Sequence, residues 1–93
     1  MAAFVIWQQI ATTDREKLER YRQGVHATIS QYGGKVLGGG SPKAIEGTVS
    51  GDRMVIIEFE NLDKAQAWYA SPDYAAIRKF RHEGAQGNLI FVG

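Results

Sequence analysis

The chain contains no cysteine. Disulfides, thiolate catalysis and Cys-ligated metal sites are therefore excluded, although the compartment is not fixed by that absence. An excess of charge of either sign is also missing. Eleven Lys and Arg against ten Asp and Glu leave a net charge of +1, without the basic stripe that nucleic-acid binding needs. No run approaches the ~20 apolar residues of a membrane span. The opening Met1-Ala2-Ala3-Phe4-Val5-Ile6-Trp7 is too short for a signal peptide and has no preceding positive charge. A cytoplasmic protein without nucleic-acid or membrane partners is expected. Histidine occurs twice, with no His-x-x-x-His or His-x-x-Glu spacing. No metal site and no cofactor are expected. Gly38-Gly39-Gly40 is no phosphate loop, because neither Gly-Lys-Ser/Thr nor a helix start follows it.

What is present is ordinary for a globular domain: 44% hydrophobic and 23% charged residues in 93. Residues 1–93 form one domain of modest stability margin. The organising stretch is Arg53 to Asp63. Val55, Ile57 and Phe59 point to one side of a strand, and Met54, Ile56 and Glu58 to the other. Asn61 then caps a helix. Phe4 to Ile10 is a second strand with apolar residues on both sides.

Thr12-Thr13-Asp14 starts a helix that runs to about Tyr32. Its apolar stripe is Leu18, Tyr21, Val25, Ile29 and Tyr32, and Gly33-Gly34 ends it. Lys35-Val36-Leu37 begins a strand that Gly38 to Pro42 interrupts, as a bulge or a loose edge. Lys43 to Val49 resumes extended structure anchored by Ile45, and Ser50-Gly51-Asp52 turns it back as a hairpin. The helix after Asn61 carries Ala65, Trp68 and Tyr69. Ser71-Pro72-Asp73 starts another, with Tyr74, Ile77 and Phe80 inward and Arg78 and Arg81 flanking. Gly84 and Gly87 close it, and Asn88 to Gly93 is the last strand.

The order strand, helix, strand, strand, helix, strand predicts an α+β, ferredoxin-like split βαβ sandwich: an antiparallel four-stranded sheet with helices on one face. Right-handed crossovers place the first and third strands centrally. These are the two strands that are apolar on both sides. The uncovered sheet face is expected to pair with a second copy of the chain as a dimeric α+β barrel.

The sequence resembles the bacterial family labelled domain of unknown function 1330, nearly end to end. The resemblance is carried by Tyr21, Tyr32-Gly33-Gly34, Ile45-Glu46-Gly47, Val55 to Phe59, and above all Ala67-Trp68-Tyr69-Ala70-Ser71-Pro72-Asp73-Tyr74 with Arg78. It implies a ferredoxin-like dimer and no established activity. Kinship with small monooxygenases, haem-degrading proteins and lactone isomerases implies where a site lies, between sheet and helices, not its chemistry.

The candidate catalytic residues are Glu58, Tyr21 and His26. Glu58, on the face assigned to the interface, would be a desolvated acid or base. The preferred, plainer reading is a carboxylate paired with Arg53 or a partner's arginine. Tyr21, Tyr32, Trp68, Tyr69 and Tyr74 are candidates to line a ligand pocket, although helical spacing alone makes each a core residue. Tyr21 and Tyr74 are the preferred pocket pair. Arg78 can hold a ligand carboxylate or bridge Glu46, Glu58 or Asp73. His26 is a possible proton shuttle or a half-exposed helix histidine. His82 is read as a cation at the helix C-terminus. The leading expectation is a homodimeric small-molecule-binding domain, extending to a cofactor-independent monooxygenase or isomerase acting on a small aromatic or flat ligand. The alternative is a non-catalytic structural or regulatory dimerisation domain.

Overall fold

Alternation along two strands sets the layers. In the computed structural model, which describes residues 1–93, β1 (Ala3–Thr12) and β3 (Arg53–Phe59) pair antiparallel, with Val5 opposite Ile57, Ile6 opposite Ile56 and Trp7 opposite Val55. The strand β4 (Ala85–Val92) flanks β1, and β2 (Lys35–Gly40) flanks β3, so the sheet order is β2-β3-β1-β4. This is the ferredoxin-like α+β fold that the element order predicts. The helices α1 (Arg15–Gln31), α2 (Leu62–Ala70) and α3 (Pro72–Gly84) bury one set of alternate residues: Ala3, Val5, Trp7 and Gln9 from β1, and Ile57 and Phe59 from β3.

Each helix begins at a side chain that satisfies a free backbone N–H. Asp14 Oδ1 accepts from Lys17 N at 3.2 Å, Asn61 Oδ1 from Lys64 N at 2.9 Å, and Ser71 Oγ from Tyr74 N at 3.2 Å. At the end of α1, Gly33 takes φ 76° and Gly34 N donates to Ile29 O at 2.9 Å, closing the helix with a left-handed residue. Gly34 is also a packing position: a Cβ there would meet Phe59 Cε1 at 2.6 Å and Ile29 Cγ2 at 2.8 Å. Gly34→Ala is expected to cost about 1–3 kcal/mol by overpacking, measured as a shift in the urea midpoint at unchanged slope.

The core is aromatic. Trp68, Tyr74, Phe59 and Val5 are its largest fully buried side chains. The Trp68 ring lies 5.5 Å from Phe59 and 4.2 Å from Tyr74 between centroids. Its Nε1 donates to Thr28 Oγ1 at 3.1 Å, and that hydroxyl donates in turn to Val25 O at 2.7 Å. The buried indole is thus satisfied, as its burial requires.

Several expectations are corrected. Lys43 to Val49 form no strand, and Ile45, read as an anchor, is 97% exposed. Its apolar residues, Ala44, Ile45 and Val49, stand among Lys43, Glu46, Gly47 and Thr48, too few to cover one face of a strand. The glycine run stays in β2, with a register shift between Val36 and Gly38. The shift falls at Leu37, just before the glycines, on a strand that is the edge of the sheet. The strand β4 starts at Ala85, not Asn88, because α3 stops at Gly84, whose carbonyl accepts from Thr13 N and Asp14 N. Phe80 is half-buried under Arg20 and Lys79 rather than inward.

The helix-free face stays apolar. Ile6 lies between Ile56 and Ile90, and Phe4 between Glu58 and Val92. Ile56, Ile90 and Val92 remain 37%, 45% and 47% exposed.

Candidate functional site

A cleft of about 260 Å³ opens between α1 and the sheet. On its other side α1 approaches α3 closely, where a Cβ on Gly24 would touch Ile77 Cγ2 at 3.4 Å. Trp7, Val55, Ile57 and Leu89 line the cleft from the sheet, and Leu18, Tyr21, Val25 and Ile29 from α1. Arg22, His26 and Arg53, all exposed, add polar groups. Gly38 and Gly39 of β2 also border it, so no side chain of theirs narrows it.

Two further groups give the cleft its polarity. Gln9 is 4% exposed, with Nε2 at 3.4 Å from both Thr12 Oγ1 and Asp52 Oδ1. The Tyr21 hydroxyl lies 3.0 Å from that of Tyr74, with the rings edge to face at 6.1 Å. Burial, then the neighbouring Tyr74 phenol, pushes the Tyr21 phenol well above its usual range. Burial also raises Tyr74, partly offset by the Arg81 charge. Both are therefore neutral phenols at physiological pH, able to donate or accept a hydrogen bond but not to act as phenolates.

The structure does not bring the residues singled out in the sequence into one place. Tyr21 and His26 line the cleft. Trp68 and Tyr74 are fully buried in the core behind it. Tyr32 is half-buried against that core. Tyr69 and Arg78 lie together on the α3 side, with the Arg78 guanidinium 4.8 Å over the Tyr69 ring and Nη1 3.3 Å from Tyr69 O. The bridges from Arg78 to Glu46, Glu58 or Asp73 do not form, since the chain's ion pairs are Lys17–Glu83 and Arg22–Glu19.

Glu58 lies where strand alternation placed it, on the helix-free face with Met54 and Ile56, but its expected pairing with Arg53 does not form. It faces away from the helices, opposite Phe4 and Lys35 in register, and pairs with no cation in the chain. Strand alternation sends Ile57 and Phe59 to the helices and Glu58 away, so it cannot share a site with Tyr21. His82 is corrected too. Burial, then the charges of Arg81 and Arg78, hold its imidazole below the usual range, which opposes the cationic role read for it.

Gln9 and Arg22 were missed by sequence reasoning. Gln9 continues the Val5, Trp7 alternation, and Arg22 lies one turn after Leu18 and one before His26. Both periodicities were available to find them.

A family model, Domain of unknown function (DUF1330), matches residues 2–93. The chain belongs to that family. Among solved structures, the DUF1330 chain is similar to a protein of unknown function from Rhodopseudomonas palustris, at TM-score 0.77 and 17% identity over 98% of this chain and 81% of that one. It is similar to SnoaB, a cofactor-independent oxygenase from Streptomyces nogalater, at TM-score 0.66 and 10% identity, covering 99% and 90%. It is also similar to a dimeric, ferredoxin-like protein of unknown function from Bacteroides fragilis, at TM-score 0.53 and 13% identity, covering 98% and 92%. At such identities these likenesses speak for the fold alone. No curated protein matches the DUF1330 sequence. No helix is long and apolar enough to cross a membrane.

Proposed function

We propose that this DUF1330 protein is a homodimer that binds a small, flat, largely apolar molecule in the cleft between α1 and the sheet. The observation that carries the reading is the cleft itself: apolar walls with a few convergent polar groups, in a domain whose aromatic core is otherwise filled. The ligand's flat body lies against Val55, Ile57 and Val25. Its polar atoms meet Arg22, His26, Arg53 and the Tyr21 hydroxyl. The unpaired apolar sheet face supports the dimer, and the dimeric Bacteroides fragilis relative agrees with it.

Proton transfer is the chemistry these groups support. His26 accepts a proton from an acidic position of the ligand, and the neutral Tyr21 phenol donates a hydrogen bond to the oxygen that gains charge. Return of the proton at another carbon gives an isomerase. Addition of dioxygen to the electron-rich anion and uptake of a proton give a hydroperoxide, which loses water to leave a carbonyl. The ligand supplies all four electrons, and the second oxygen departs as water. This is the reaction of a cofactor-independent monooxygenase, for which the likeness to SnoaB is the support.

Thermal unfolding against a panel of quinols, aromatic acids and haem tests the reading. Ligand at a hundredfold excess over Kd stabilises by about 2.7 kcal/mol, raising the melting temperature by on the order of 10 °C. Arg22→Ala and His26→Ala, at exposed positions, are expected to abolish that rise and to leave the unliganded melting temperature within about 2 °C of its original value. If no compound moves the melting temperature, the cleft reading fails, and a structural or regulatory dimerisation domain takes its place.

A further inference from the structure

The C-terminal half of α3 carries a cation that the chain does not neutralise. Arg81 is 4% exposed, with its guanidinium carbon 4.7 Å from the centroid of the Trp7 ring. Its Nε is buried without a hydrogen-bond partner. Its Nη2 donates to His82 Nε2 at 3.1 Å, and both ion pairs of the chain lie elsewhere. A guanidinium taken out of water costs several kcal/mol unless an anion or a full set of acceptors receives its N–H groups. Stacking on the indole returns only about 2 kcal/mol of that.

The surroundings suit an incoming oxyanion. Arg81 and His82 line an open groove of about 470 Å³ between α3 and β4, bounded by Trp7 and Tyr69. No Asp or Glu lines it. Gly87 keeps it open, since a Cβ there would collide with the Trp7 ring and Gln8 O. A second cation, Arg78, stacks on Tyr69 at 4.8 Å. His82 is exposed in the last turn of α3 and accepts from Arg81 as a neutral ring. The Nε–H and one Nη2–H of a guanidinium lie on the same edge, the edge that receives a carboxylate bidentately. A carboxylate that displaces the His82 ring from Nη2 satisfies the orphaned Nε in the same step.

We propose that this groove binds the carboxylate or phosphate group of a small anion, with Arg81 as the bidentate receiver and His82 as the neutral acceptor that the anion displaces; Arg78, stacked on the bordering Tyr69, adds positive charge from outside the lining. The groove shares Trp7 and Leu89 with the α1 cleft, but Arg81 and His82 line only the groove, and the proposal does not rest on the reading given for that cleft.

An NMR titration of the full chain at constant ionic strength, with sodium benzoate and with inorganic phosphate, tests the proposal through the His82 ring C–H and Trp7 indole N–H signals. Saturable movement of both signals with either probe below about 10 mM is expected. Movement with benzoate alone identifies a carboxylate site, and movement with both an oxyanion site. Arg81→Lys keeps the charge and loses the fork, so binding is expected to weaken about tenfold or more. His82→Ala removes the competing acceptor and is expected to bind at least as tightly as the original. Absence of saturable movement with both probes, unchanged affinity in Arg81→Lys, or loss of binding in His82→Ala overturns the proposal. Loss of benzoate binding in Arg22→Ala also overturns it, because the anion then sits in the cleft. Retained binding in Arg22→Ala supports it whatever becomes of the cleft.

Discussion

Trp68→Ala is expected to destabilise the protein by about 3–5 kcal/mol, the range for removing a fully buried large aromatic. The indole is enclosed, lies 4.2 Å from Tyr74 and 5.5 Å from Phe59 between centroids, and donates its N–H to Thr28. Alanine removes the ring contacts and leaves a cavity at the junction of α1, α2 and β3. A domain of this size has a total stability of only about 5–15 kcal/mol, so the variant is expected to be close to unfolded at physiological temperature. Trp68→Phe keeps a ring in place. The Thr28 hydroxyl still donates to Val25 O, so this variant is expected to lose only about 1–2 kcal/mol. Urea unfolding at one fixed protein concentration compares the two, since an associating protein's stability depends on concentration. A loss below about 1 kcal/mol for Trp68→Ala would show that the aromatic cluster is not what holds the helices to the sheet.

Ile56→Lys is expected to split the proposed homodimer while each subunit stays folded. Ile56 sits at the centre of the helix-free face, beside Ile6 and 37% exposed in the single chain, so a lysine there is tolerated by a lone subunit. In a two-fold pair the substitution enters the interface twice. At about 2 kcal/mol per desolvated ammonium, the pair loses about 4 kcal/mol, and its dissociation constant rises about a thousandfold. Gln23→Lys, on the exposed side of α1, adds the same charge away from that face and is expected to change nothing. Sedimentation over a concentration series measures both variants. Equal dissociation constants would place the interface elsewhere.

The layers were legible in the sequence because they rest on local rules. The element order with right-handed crossovers puts β1 and β3 at the centre; apolar residues at both parities agree there but also occur in the edge strand β4. Asp14, Asn61 and Ser71 cap the helices at the positions their side chains imply. Where a residue's role depended on which elements meet, the sequence was silent or misleading. Glu58 and Tyr21 appear as candidates for one site, yet the sheet separates them. Trp68 and Tyr74, which carry the family resemblance, prove to be core. Arg81 was read as a flanking charge, although it lies seven residues, two helical turns, after the buried Tyr74 and so on the same side of α3. Its burial against Trp7 depends on a strand 74 residues earlier, beyond the reach of any local pattern. The Lys43 to Val49 error has the same root: β propensity without a neighbour to pair with does not make a strand.

The mass of the particle in solution decides whether one chain completes its own burial. Light scattering on the original protein at micromolar concentration is expected to give twice the 10.3 kDa of a single chain. A particle of 10.3 kDa would mean that Phe4, Ile6, Met54, Ile56 and Ile90 lie bare in water, and that the sheet's second face is no interface.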